Sequence, residues 1–129
     1  MFDLEAHLKR QMAFSRATFG PGERRAGVAD HIKRELTGEV IPAGSPYEAA
    51  EEWVDVVILA LDGLTRALRE AGVHPGELAA EACGMIEDKQ DENEQRNWPD
   101  WRTADPNKAI EHVKAQAEAL DAAGAQNIR

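Results

Sequence analysis

The stretch that decides the fold is SPYEAAEEWVDVVILALDGLTRALREAG, residues 45–72. Ser45, Pro46 and Glu48 open it. Serine caps a helix N-terminus, proline suits the first helical position, and the glutamate completes a capping box. Gly72 closes it, because glycine tolerates the left-handed conformation in which many helices end. In between, residues 54–64 are apolar almost all round, which predicts a buried central helix.

Working outward, Asp3 caps a first helix over about 4–14, with Leu4, Leu8 and Met12 one turn apart. Two glycines around Pro21 then predict a loop over 15–26. A second helix is expected over about 27–40, ended by Pro42 and Gly44, and a fourth from about Pro75 to Arg96. A loop with two tryptophans covers 97–105. Asp105-Pro106 is read as the cap of a fifth helix over 106–123, with Ile110, Val113, Ala117 and Leu120 on one face, and 124–129 as a frayed tail. The expectation is all-α: a four- to five-helix bundle in a single domain spanning 1–129.

Composition agrees, since aromatics are only 5% and Ala, Leu and Glu outnumber β-branched residues. A net charge of -9 argues against wrapping a nucleic-acid polymer, which needs clustered Lys and Arg. The single cysteine, Cys83, excludes an intrachain disulfide framework and reads as packing in an Ala-rich helix. The charged N-terminus shows no secretory apolar region, and the run Val56–Leu61 is too short to cross a bilayer. A cytoplasmic home, in a bacterium or a phage-infected host, is the expectation.

The informative feature is carboxylates lying beside apolar stripes. Val28, Ile32 and Leu36 are spaced by four on the second helix, and His31, Glu35 and Glu39 form a parallel row three residues on. Glu52 and Asp55 share one face of the central helix, with Asp62 two turns further. Asp62 pairs either with Arg66 one turn on or with Arg24 or Arg25 from the loop. Carboxylates on so apolar a helix are unfavourable unless something neutralises them, and a divalent cation such as Mg²⁺ does so. On the fourth helix Ala82, Ile86, Lys89, Asn93 and Arg96 turn an apolar stripe into a cationic and amide one suited to phosphate oxygens. The chemistry expected is metal-assisted attack of water on a phosphoryl group.

These residues resemble the MazG-like, all-α nucleoside triphosphate pyrophosphatases. Their hallmark is a Glu pair on one helix and Glu-x-x-Asp on the next. Glu52-Trp53-Val54-Asp55 fits the second pair, while Glu35 and Glu39 form the first at a spacing of four, with Gly38 where a spacing of three puts the partner. Phe14 to Gly22, Asp30-His31-Ile32, Glu51 to Gly63 and Asn93 to Arg102 resemble, more narrowly, the dATP/dGTP diphosphohydrolase family.

That resemblance implies hydrolysis of purine deoxynucleoside triphosphates, dGTP or dATP, to the monophosphate and pyrophosphate. It implies Mg²⁺, with Mn²⁺ as a substitute, held by Glu35, Glu39, Glu52 and Asp55. Glu35, Glu52 and Asp55 would be the catalytic carboxylates. Lys89, Asn93 and Arg96 would lie on the phosphate side, Arg102 and Trp98 would also bind the substrate, and Ser15, Arg16, Thr18 and Phe19 would contact the nucleotide from the 15–26 loop. Trp98 and Trp101 either pack the last helix or stack one ring on a purine. Relatives form dimers or tetramers, so self-association is expected. Relatives in some phages prepare dGMP for 2-aminoadenine nucleotides. Two rival readings differ in where the acids sit: a pyrophosphatase for another or modified dNTP, and a non-enzymatic acidic helical interaction protein.

Overall fold

The computed structural model of the chain describes residues 1–114. Among them every regular element is helical: α1 is Leu4–Phe19, α2 is Arg25–Glu35, α3 is Pro46–Glu70 and α4 is Leu78–Gln95. A π-helical turn, Leu36–Val40, continues α2, and short 3₁₀ turns occupy Pro75–Glu77 and Trp101–Thr103. By internal contacts the chain forms two compact units, the first Met1–Ile86 and the second beginning at Glu87, within α4.

The expected caps are present. The Asp3 carboxylate accepts from the Ala6 N–H at 3.2 Å, and Ser45 Oγ accepts from the Glu48 N–H at 3.2 Å. α3 ends as residues 45–72 predict, with Gly72 at φ 102°, its N–H on Arg69 O and the Val73 N–H on Leu68 O. This pair of bonds satisfies carbonyls that the helix end would otherwise leave bare.

α1 is longer than expected. It runs to Phe19 and stops at Gly20, φ 87°, whose N–H bonds Arg16 O. Ser15, Arg16, Thr18 and Phe19 are therefore helical, and only the segment from Gly20 to Arg24 is loop. The cause is tertiary. Ser15 is 3% exposed and its hydroxyl accepts from Arg66 Nη2 at 2.8 Å, so the last turns of α1 are held from α3.

The fifth helix is also corrected over its described part, because residues 106–114 are not helical. The Asp105 carboxylate accepts from the Asn107 N–H at 2.9 Å and Asp105 O accepts from the Lys108 N–H at 3.1 Å. Asp-Pro-Asn thus closes a β-turn with proline at its second position. The Val113 N–H then bonds Asn97 O at 2.8 Å, outside any helix. Residues 115–123 of that expected helix, and the 124–129 tail, lie outside the described residues.

The core of the first unit is small. Leu8 of α1 meets Ala79 and Ala82 of α4, with Leu4, Met12, Leu61, Leu64, Leu68 and Cys83 packed around them. Contrary to the expectation of a buried central helix, α3 buries Asp62, Thr65 and Arg66, while Trp53, Val54 and Val57 are about half exposed. The neighbouring helices cover only part of its circumference. At its C-terminal half the space is filled by a polar network: Arg66 Nε donates to both Asp62 carboxylate oxygens at 3.0 Å, Nη1 to Gly22 O at 2.7 Å, and Nη2 to Ser15 O at 3.3 Å. One guanidinium so joins α1, the α1–α2 loop and α3. Of the two pairings left open for Asp62, that with Arg66 is the one formed. Further along, Gln11 Nε2 donates to Ile58 O at 2.7 Å, a second tie between α1 and α3.

Removing one member of a buried ion pair strands the other. Arg66→Met is expected to destabilise the fold by about 3–5 kcal/mol, read from urea unfolding, and Arg66→Lys to rescue little because ammonium lacks the planar fork.

Candidate functional site

α2 and α3 pack against each other, and their packing brings acids together. Glu35, Glu52 and Asp55 each offer a carboxylate oxygen, and the three atoms lie within 4.8 Å of one another. Glu35 is the C-terminal residue of α2, whereas Glu52 and Asp55 are one turn apart near the start of α3. Glu35 Oε2 is buried and, among the described residues, meets no hydrogen-bond donor. Its other oxygen is 3.9 Å from His31 Nε2. A buried carboxylate oxygen without a donor is unfavourable by itself and suits a cation.

Glu52 shows the strain of this arrangement. Its carboxyl is held above the ordinary range, first by desolvation, then by the Glu39 charge, then by hydrogen bond and charge from Asp55, then by Glu35. Glu39 stands outside the close trio yet acts on its centre. The π-helical turn explains how. The Ile41 N–H bonds Leu36 O, five residues back, so the turn takes one residue more than an α-turn. That wider turn rotates residue 39 back toward the face of residue 35, consistent with the Glu39 charge acting on Glu52.

The residues of the first unit expected to contact a nucleotide divide. Ser15 is inside, committed to Arg66, and Thr18 is exposed. Arg16 and Arg69 line a shallow cavity of about 150 Å³ between α1 and α3, together with Met12, Ala13 and Thr65. Phe19 leads back toward the acids. Its ring meets His31 at 6.2 Å, nearly perpendicular, and Phe14 at 6.4 Å. The sequence reading did not connect Phe19, His31 and Glu35, because only the turn after Gly20 folds α1 back onto α2.

In the second unit, Lys89 and Asn93 share one face of α4, Arg96 follows directly after its end, and Glu92 ties the cations together. Its Oε1 is 3.0 Å from Lys89 Nζ and 2.7 Å from Arg96 Nη2, while Arg96 Nη1 donates to Asn93 Oδ1 at 2.9 Å. The two cations, Lys89 first, hold the Glu92 carboxyl below its usual range. Trp98 donates its indole N–H to Asn93 O at 2.7 Å, capping the end of α4, and its ring meets His112 at 5.7 Å. Arg102 lies over the Trp101 ring at 4.9 Å and bonds Asp100 at 3.1 Å.

Carboxylates clustered from two facing helices define a class: all-α proteins with an acidic group that could hold a metal ion. The comparison with protein families narrows it, for the dATP/dGTP pyrophosphohydrolase family matches residues 7–119, and the chain belongs to that family. It is accordingly a hydrolase acting on acid anhydrides. No curated protein and no solved structure matches the chain. Among the described residues no helix is long and apolar enough to cross a membrane.

Like charges packed together oppose folding. A carboxyl raised in the folded state favours folding while protonated, so Glu52 disfavours the metal-free fold as pH rises through its raised value. Glu52→Gln is expected to raise the melting temperature of the metal-free protein at neutral pH and to abolish most of the further rise on adding Mg²⁺. Differential scanning fluorimetry with and without EDTA reads both.

Proposed function

We propose that the chain hydrolyses purine deoxynucleoside triphosphates, dGTP or dATP, to the monophosphate and pyrophosphate, using Mg²⁺ held by Glu35, Glu52, Asp55 and Glu39. The observation that supports this most is the trio of carboxylates within 4.8 Å, with Glu35 Oε2 buried and lacking a donor. The residues fit a hard cation, which takes oxygen ligands and keeps substrate phosphates in its shell. A cation bound there supplies charge neutralisation to the polyphosphate and acidity to the attacking water. Mn²⁺, with similar ligand preferences, is expected to substitute.

The protein's own part is positional. Glu35, fixed on α2 beside His31, orients the water and accepts its proton. The water oxygen bonds the α-phosphorus, the bond from that phosphorus to the bridging oxygen breaks, and pyrophosphate leaves with the electron pair. Arg16, Thr18 and Phe19 serve the nucleoside, and Ser15 contributes by fixing α1 through Arg66. Within the second unit taken by itself, Lys89, Asn93, Arg96 and Arg102 offer donors to phosphate oxygens, and Trp98 offers a ring to a base.

We further infer that two copies associate through α3. Trp53, Val54 and Val57 are half exposed on the same segment that carries Glu52 and Asp55. An apolar face next to a site is the usual mark of a covered surface. The setting would be a nucleotide pool in a bacterial or phage-infected cytoplasm.

Incubation with each of the four dNTPs, with Mg²⁺ or EDTA, is expected to give dGMP or dAMP plus pyrophosphate only with metal. Asp55→Asn should reduce turnover by more than the roughly 10–100-fold that loss of a ligand's outer partner costs. Turnover of pyrimidine or modified dNTPs alone would overturn the purine assignment, and orthophosphate as product would overturn the cleavage position. Val57→Arg should yield monomers in light scattering if α3 is the interface.

A further inference from the structure

Phe19 ends α1 and is 40% exposed. Its ring lies against His31, whose Nε2 is 3.9 Å from Glu35. One turn of α2 therefore separates this ring contact from the carboxylate trio. A nucleotide whose phosphates lie at Glu35 can bring its base to Phe19.

Arg24 stands beside that ring. Its guanidinium carbon is 5.7 Å from the Phe19 centroid. α2 makes room for it at Gly27, where a Cβ would meet Arg24 Nη2 at 2.9 Å and Cζ at 3.5 Å. The neighbouring arginines are committed: Arg25 pairs with Glu23 at 2.9 Å and Arg66 with Asp62 at 3.0 Å. Among the described residues Arg24 has neither an ion pair nor a side-chain hydrogen bond. A chain of net charge -9 thus keeps an uncompensated guanidinium against an exposed aromatic ring.

We propose that Phe19 and Arg24 form the base-recognition element of the carboxylate site, and that Arg24 makes it prefer guanine to adenine. This rests on the pyrophosphohydrolase reading above. A ring face stacks any base and distinguishes them weakly. A guanidinium has donors only. Guanine offers two adjacent acceptors, N7 and O6, to which arginine bonds in a fork, whereas adenine puts an amino donor in place of O6. Arg24 therefore gains two hydrogen bonds with guanine and faces a donor with adenine. Pyrimidines lack the N7/O6 pair and reach less far from the sugar.

The test is kcat/KM for dGTP and dATP, with Mg²⁺, in the parent and in Arg24→Ala, Phe19→Leu and Gly27→Ala. The parent is expected to favour dGTP. Arg24→Ala, on an exposed turn, should lower kcat/KM for dGTP by about tenfold or more, mostly through KM, and leave dATP within about twofold. Phe19→Leu should lower both substrates together, and Gly27→Ala, by displacing Arg24, should reduce the dGTP preference in the same direction as Arg24→Ala. Equal losses on both substrates in Arg24→Ala, or a parent that prefers dATP, would overturn the role of Arg24 while leaving the pyrophosphohydrolase reading intact. A parent that turns over neither substrate would overturn both.

Discussion

Arg66 is an arginine in a place that ordinarily excludes charge, and the first unit is arranged around satisfying it. Its guanidinium reaches a carboxylate on its own helix, a carbonyl in the α1–α2 loop, and a hydroxyl and carbonyl on α1. Because an unpaired buried charge is far worse than a lost apolar contact, these partners must all be present together. That requirement makes α1 run on past Phe14, pins Gly22 over α3, and so sets the direction in which the chain returns as α2. Few side chains are fully buried, and the apolar core is built largely of alanine and leucine. Directional bonds from one arginine do there what bulk packing does in larger domains.

The end of α3 occupied by the acids has the opposite character. Glu35, Glu52 and Asp55 repel one another, Glu39 adds to the repulsion, and among the described residues no Lys or Arg forms an ion pair with any of them, while the His31 ring lies 3.9 Å from Glu35. The Arg66 network lies two to three turns along the same helix. The two ends of α3 are thus unequal: one is satisfied internally, while at the other Glu35 of α2 has a buried carboxylate oxygen that meets no donor among the described residues.

Much of this was legible in the residues. Ser45, Pro46 and Gly72 mark the ends of α3 because caps and the left-handed glycine act within a few residues of chain. Glu52 and Asp55 read as one face because helix periodicity alone puts them there. The family likeness rested on these same local patterns, and the family match bears it out. Where the reading failed, the cause was long-range or competitive. Ser15 looked like a loop residue until Arg66, fifty-one positions away, accounted for it. Asp105-Pro106 suits a helix start and a β-turn equally, and the side chain's bond to the Asn107 N–H chose the turn.

Sequence by itself therefore determined the helical class, the bounds of α3, the shared face of Glu52 and Asp55 and the family, all of which depend on interactions a few residues apart. Only tertiary structure decided that Arg66 would be the hub, that a π-helical turn would carry Glu39 toward Glu52, that α3 would stay half open to solvent, and that Phe19 and Arg24 would meet one turn of α2 from Glu35. The physical reason is reach. Periodicity and capping are encoded locally, whereas burial of a charge and the closing of one helix onto another depend on which distant partners the folded chain supplies.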